Sequence, residues 1–380
     1  MQLTRTAFGM WSAGRFMHFG EPFDDDQFIR LIRFAYDKGI RTFLTADVYG
    51  AGEADTLLGH ALAGTPRESY CLVGAIGHDF YHGERDGSKG FPRFTSPTLR
   101  KPRDYASYIR SAAEKSLTRC RSDRFDLLLL HNPDATGYTS DVVWKGMAVL
   151  KDEGLTSQLG IAPGPANGFT LDLLLCLERF QGLIDCSMII LNPLEPWPGE
   201  LCLAAAEKTG VKIVTRVVDY GGLFHDDVKP GHQFAPRDHR TFRPAGWVEA
   251  GNEKIESMRA VAEAHGLTIL QLACIWNLQH PAVESVAPTL IQEPGPAAKP
   301  IETKIEELAT LPEVTLTPDG YALLAKIGDN TNCMSLKGAN AEYTGDPLPD
   351  RWSLSAELEA VAKRWKIDPV RDLASTTDTA

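Results

Sequence analysis

Short apolar runs alternate with stretches of helical periodicity along most of this chain, and that alternation limits its fold more than any other feature. The runs are Ala7–Trp11, Arg41–Ala46, Cys71–Ile76, Asp126–His131, Ser157–Ala162, Cys186–Leu191, Val211–Val218 and Ala282–Pro288, eight in all. Segments apolar on both faces read as parallel strands in a sheet covered by helices. Between the first two, Asp25–Lys38 places Phe28, Leu31, Ile32 and Ala35 on one helical face, and Gly39 ends it. Further helices are expected at Glu53–Ala63, Asp104–Arg119, Val142–Glu153, Thr170–Phe180, Glu200–Thr209 and Ile301–Leu311. Eight strand-then-helix units without a break in composition predict an α/β fold, a (β/α)8 TIM barrel over residues 1–312. A C-terminal extension, residues 313–380, is expected to pack on that barrel, with Gly328–Asn340 near its mouth. A doubly wound open sheet is the other arrangement, usually with fewer strands.

The 380 residues are 43% hydrophobic, enough for a large core, and such barrels often exceed 250 residues as one unit. The net charge of −11 repels nucleic acid and anionic membranes, so neither is an expected partner. No apolar stretch approaches the ~18 residues of a membrane-spanning helix, and the N-terminus lacks the pattern of a signal peptide. The seven cysteines form no CxxC pair and suit reduced thiols in a cytoplasmic protein. Oligomeric state stays open.

Three segments exceed ordinary connections: Gly77–Arg103, Asp219–Gly251 and the tail from Val314. The first two follow strands and are candidate lids on the mouth. His78, Asp79 and His82 suggest a metal only weakly, since no third ligand is fixed by spacing, and no metal is expected. His225, His232 and His239 are expected in a solvated loop. Trp11, Arg15 and His18 follow the first strand, and a Trp there packs on a ligand ring or simply in the core, as does Trp197. Arg216 is either a clamp for an anionic or polyhydroxyl ligand or a salt-bridged barrel residue. Asp219 and Tyr220, with Asn192 and Glu195, are mouth candidates. In the tail, Asn330, Cys333 or Lys337 could reach the mouth.

TADVYGAGEADTLLGHAL, Thr45–Leu62, strongly resembles the second strand–helix unit of aldo-keto reductases, and DLLLLHNPD, Asp126–Asp134, resembles their fourth strand with its histidine. KDEGLTSQLGIA and QLACIWNLQHPAVESVAP also match, so the resemblance runs from Ala7 to Leu311. It implies the family's barrel and carbonyl reduction with a nicotinamide cofactor. It also implies a tetrad in which tyrosine protonates the carbonyl oxygen, lysine lowers the tyrosine pKa, aspartate holds the lysine and histidine orients the substrate. Tyr49 falls on the tyrosine and His131 on the histidine. The aspartate position is Leu44 and the lysine position Ala75. The Ser-Asn pair that grips the nicotinamide amide reads Ala162-Pro163, a glutamine reads Met188, and the phosphate turn carries Pro288 and Thr289. Asp47, in the same motif as Tyr49, is expected to be structural.

Three readings follow. The first is an aldo-keto-reductase-like enzyme without a cofactor, a lyase, dehydratase or isomerase using His131 and Tyr49 on a small polar, sugar-like carbonyl or hydroxyl substrate. Trp11, Arg216, Asp219, Tyr220, Asn132, Asn192 and His78 would bind that substrate. The second is a divergent oxidoreductase using NADP or NAD, and the third an inactive binding or regulatory barrel. In the first, His131, with an intrinsic pKa near ~6.5, is the group matched to neutral pH.

Overall fold

A computed structural model of the chain describes residues 2–87, 90–164, 169–243, 245–331 and 354–373. Eight parallel strands follow one another around a single sheet: β1 (Ala7–Gly9), β2 (Thr42–Leu44), β3 (Cys71–Ile76), β4 (Phe125–His131), β5 (Thr156–Ala162), β6 (Cys186–Ile190), β7 (Lys212–Arg216) and β8 (Val283–Ala287). A parallel bridge from Thr6 to Val286, with the Val286 N–H donating to the Arg5 carbonyl at 3.0 Å, closes the sheet into a barrel. Its interior is a layer of mostly small apolar side chains, among them Ala7, Leu44, Val73, Ala75, Leu129 and Met188. A larger apolar shell, including Phe8, Phe43, Leu72, Leu128 and Ile161, fills the space between sheet and helices.

The helices form where periodicity and capping agree. Asp25–Asp37 starts from a reciprocal cap between Asp24 and Gln27, carries Asp25 and Asp26 where the helix dipole favours anions, and buries the expected face. The other expected helices occur at Glu53–Ala61, Tyr105–Cys120, Asp141–Asp152, Thr170–Arg179, Leu203–Thr209 and Ile301–Ala309. Besides the short Ala135–Thr139 and the helices of the extension, two longer helices went unforeseen. Trp247–Ala264 begins inside the segment expected to be loop up to Gly251. Ile269–Leu278 is buried on nearly every side, so it has no polar face to set a period, although Thr268 and Gln271 cap it. No helix among the described residues is long and apolar enough to cross a membrane.

The long connections fold down onto the barrel rather than into solvent. Arg240, fully buried, joins three of them. Its Nε and Nη2 donate to Asp238 at 2.9 and 2.7 Å, its Nη2 donates to Glu293 at 2.9 Å, and its Nη1 donates to the Gly221 carbonyl at 3.1 Å. Asp238 also accepts from the Gly20 N–H at 2.7 Å, so the connections after β1, β7 and β8 meet at the Arg240–Asp238 pair. His232 pairs with Glu293 at 3.0 Å, and buried His225 contacts the Thr289 carbonyl through Nε2 at 2.8 Å. His239 packs edge-on against His18. The solvated loop expected for these three histidines is therefore corrected: salt links and burial pull the segment inward.

The extension forms helices at Pro318–Gly328, Ala356–Arg364 and Pro369–Leu373. Arg364 and Trp365 bind Glu178, on the barrel's flank. The Trp197 indole donates to the Asp372 carbonyl at 2.6 Å, and Asn330 bonds both backbone groups of Trp197, at 2.9 and 3.1 Å. Trp197 and Asn330 thus bind each other away from the mouth cavity, while Cys333 and Lys337 lie outside the described residues.

Removing one partner of a buried charge cluster leaves the others uncompensated. Arg240→Ala is expected to cost about 3–5 kcal/mol in chemical denaturation. Replacing Asp238, Arg240 and Glu293 together by apolar residues of similar volume should cost less. A single mutant as stable as wild type would show that the cluster does not hold the mouth.

Candidate active site

A cavity of about 450 Å³ opens at the C-terminal ends of the strands, the end that carries chemistry in this architecture. Trp11, Tyr49, His78, His131, Asn132 and Arg216 all line it, so sequence-distant candidates converge there. The Trp11 indole lies flat on Gly9, where any Cβ would come within 2.3 Å of the ring. Tyr49 opens a tight turn whose next residue, Gly50, has φ 58° and faces the Phe16 ring at 2.6 Å from a would-be Cβ. His131 is the last residue of β4, paired in register with Ala162.

The Tyr49 and His131 rings meet edge-to-face with centroids 5.8 Å apart and planes at 90°. His78 meets His131 from another side at 5.2 Å. His78 Nδ1 lies 2.9 Å from Arg93 Nη1 and 3.0 Å from the Phe91 carbonyl, and its Nε2 lies 3.4 Å from the Asn132 amide nitrogen. Burial and the Arg93 charge push the His78 pKa down to about 4. Burial, then His78, Arg216 and Arg93, hold His131 well below its usual value, and its buried Nδ1 has no hydrogen-bond partner among the described residues. Burial pushes the Tyr49 phenol up to about 12, with Arg216 opposing. The pocket therefore presents two neutral imidazoles and a protonated phenol. This revises the expectation of a histidine titrating near neutrality, because that expectation assumed a solvated ring.

Arg216, the last residue of β7, donates through Nη2 to the Pro163 carbonyl at 2.9 Å. Its Nε is buried without a partner, and no carboxylate pairs with it among the described residues. A second cavity of about 50 Å³ opens between Pro163, Phe169 and Arg216. Asp219 lines the main cavity, yet its carboxylate accepts from the backbone N–H groups of Gly222 at 2.8 Å and Thr289 at 2.6 Å.

Several sequence candidates fall elsewhere. Tyr220 is buried behind the mouth, against Trp247 and the Arg243 guanidinium. Asn192 donates to the Val217 carbonyl at 3.0 Å and accepts from the Leu194 N–H at 2.9 Å, a loop-bracing role, and Glu195 bridges back to it. Arg15 pairs with Asp25 and Glu53 on the surface. Asp79 is buried against Arg100 and caps the Tyr81 and His82 amides. Among the described residues no group of three His, Cys, Asp or Glu side chains could hold a metal. Asp47 is fully buried with neither carboxylate oxygen hydrogen-bonded, and burial with the Asp55 charge pushes it well above the carboxylate range. Leu44 and Ala75 sit in the apolar interior layer against which Tyr49 packs. Sequence reasoning missed Arg243, which lines the cavity with a buried, unpartnered Nη1. It lies in no periodic element and gave no signal.

The sequence model of the Aldo/keto reductase family matches residues 5–293. The chain belongs to that family. It is 30% identical over 164 residues to the uncharacterized oxidoreductase YcsN of Bacillus subtilis (strain 168), spanning 43% of this chain and 50% of that protein. Among solved structures, the glycerol dehydrogenase AKR11B4 of Gluconobacter oxydans superposes with a TM-score of 0.66 at 23% identity, covering 86% of this chain and 92% of that one. An aldo-keto reductase of Klebsiella pneumoniae in complex with NADPH gives 0.56 at 17% identity, covering 86% and 95%. At these identities the likeness shows the family's fold.

Imidazole 15N spectra should place His78 and His131 in the neutral form at pH 6. An imidazolium signal for either at that pH would contradict the burial and charge pattern described.

Proposed function

We propose that this family member does acid–base chemistry at a carbonyl or hydroxyl group of a small polar molecule, by proton rather than hydride transfer. The observation behind it is the contact of Tyr49 with His131 beside Arg216, a cation with no paired carboxylate among the described residues. Tyr49 keeps its proton through the neutral range and donates a hydrogen bond to the substrate oxygen. Arg216 supplies positive charge where that oxygen gains negative charge. His131 removes a proton from the carbon beside the carbonyl, the C–H electron pair forms the C=C bond, and the carbonyl π pair moves to the oxygen, giving an enolate. Returning that proton elsewhere, or expelling a neighbouring group, gives an isomerase, dehydratase or lyase.

The donor set does not fit a nicotinamide dinucleotide gripped in the family manner. Ala162, Pro163 and Met188 offer no side-chain donor or acceptor to a carboxamide, and Arg216 already holds the Pro163 carbonyl. The Thr289 amide, in the turn that the resemblance assigns to phosphate, is taken by the Asp219 carboxylate, whose charge opposes a phosphate. Leu44 and Ala75 leave Tyr49 without a neighbouring ammonium.

A second reading, a nicotinamide-dependent oxidoreductase, has the comparisons on its side. The family match, the oxidoreductase name of YcsN and the NADPH complex of the Klebsiella neighbour all favour it. Fluorescence titration separates the two. The first reading expects NADPH to bind no tighter than ~100 µM, whereas a Kd of ~1 µM or below would establish the second. With hydroxy- and keto-acids or keto-sugars in D2O, the first reading expects deuterium to enter the carbon beside the carbonyl without any nicotinamide. On a turned-over substrate, His131→Ala should lose about 10²–10⁴-fold in kcat, and Tyr49→Phe about 10²–10³-fold. Near wild-type turnover by a folded His131→Ala variant would remove His131 from the mechanism.

A further inference from the structure

The chain as a whole carries a net charge of −11, but its mouth cavity has the opposite sign. Among the described residues, four arginines line it, Arg85, Arg216, Arg240 and Arg243, against one carboxylate, Asp219. The donors of Arg240 are consumed by Asp238, Glu293 and the Gly221 carbonyl. The Asp219 carboxylate is consumed by two backbone amides. Arg85 stands exposed at the rim. That leaves Arg216 and Arg243 with hydrogen-bonding capacity unmet. Among the described residues, Arg216 has a buried Nε with no acceptor, and Arg243 a buried Nη1 with no acceptor. Arg243 is held in place by stacking, its guanidinium 4.4 Å from the Trp247 ring centroid and 5.3 Å from that of Tyr220.

A buried guanidinium without an anion is costly, since desolvation is charged against stability and nothing repays it. Proteins keep such a group where a ligand supplies the partner, and a planar fork of N–H donors suits a carboxylate. We propose that the cavity takes a substrate bearing a carboxylate, seated on Arg216 beside Tyr49 and His131, with Arg243 as a second donor on the same cavity. This rests on the active-site reading above and names its substrate class, a hydroxy or keto acid. The cavity of about 450 Å³ lies within the usual range for small-molecule sites. Phosphate groups of a nucleotide share the anionic chemistry, and the test separates the two sources.

Isothermal titration with D-gluconate and with D-sorbitol, its neutral analogue of the same length, reads the anion alone. Gluconate is expected to bind at least tenfold more tightly, and Arg216→Met to erase that difference while Arg216→Lys keeps part of it. Without ligand, Arg216→Met should melt at or above the wild-type temperature, because an unpaired buried charge has gone. A structural arginine would instead lower the melting temperature. Equal affinity for gluconate and sorbitol, or an unchanged gluconate Kd in Arg216→Met, overturns the proposal. So does pyrophosphate or NADPH binding through Arg216 while gluconate does not bind, which assigns the guanidinium to a nucleotide. Because these readouts need no turnover, they can fail while deuterium entry succeeds, or the reverse.

Discussion

Arg240 decides the shape of the mouth. Its guanidinium donates to Asp238 and the Gly221 carbonyl in the connection after β7 and to Glu293 in the connection after β8, while Asp238 accepts from Gly20 in the connection after β1. Loops without such a tie lose their conformational entropy for little return. With it, the segment after β7 turns inward and delivers Asp219, His239 and Arg243 to the cavity wall. Lys304 repeats the device nearby, pairing with Asp227 at 2.7 Å and bonding the Ile291 carbonyl at 2.6 Å. Each cation in these ties is paired with a carboxylate. That is why Arg216 and Arg243, each with a buried N–H unmet among the described residues, stand out as a different kind of residue.

Asp219 illustrates how one carboxylate can change what a fold accepts. It leaves the end of β7 and bonds two amides, one in its own turn and one in the turn after β8. Backbone N–H groups gathered in this way form an anion cradle, and an internal carboxylate fills it as an external phosphate would. Burial pushes the Asp219 carboxyl above its usual range even with those donors, so the tie is made at a desolvation cost. Such a cost is sustained where the bond organises the surrounding loops. Here it locks the turn after β8 to the segment after β7.

The barrel was legible because parallel strands covered on both faces must be apolar throughout, and eight such runs are hard to arrange otherwise. Tyr49 and His131 were legible through the short motifs that hold them. What escaped depended on contacts between distant residues. Arg240 and Glu293 are 53 positions apart, and no local pattern announces their pairing. His225 looked like a loop residue by composition but is fully buried. Asn192 and Tyr220 stood at the right strand ends, yet a side chain there can turn back to brace its own loop, and sequence spacing does not reveal which way it turns. Ile269–Leu278 was missed because a helix enclosed on all sides loses the amphipathic signature.

The electrostatics of the pocket make its chemistry conditional on its contents. His131 is held neutral first by burial and then by the charges around it, His78, Arg216 and Arg93. A weak base in the free enzyme is a poor proton acceptor near neutral pH, since general-base catalysis is best served by a pKa near the working value. An anion beside Arg216 changes that balance, because it cancels one of the charges that oppose an imidazolium and adds an attraction of its own. On the proposed reading, the basicity of His131 rises when an anionic substrate is present and falls when it leaves. The same anion satisfies the buried Nε of Arg216, so the binding energy and the activation of the base come from one contact. A barrel with an ammonium next to its tyrosine keeps its acid tuned at all times. With Leu44 and Ala75 in the apolar interior layer under Tyr49, the proposed chemistry draws that charge from what enters the pocket.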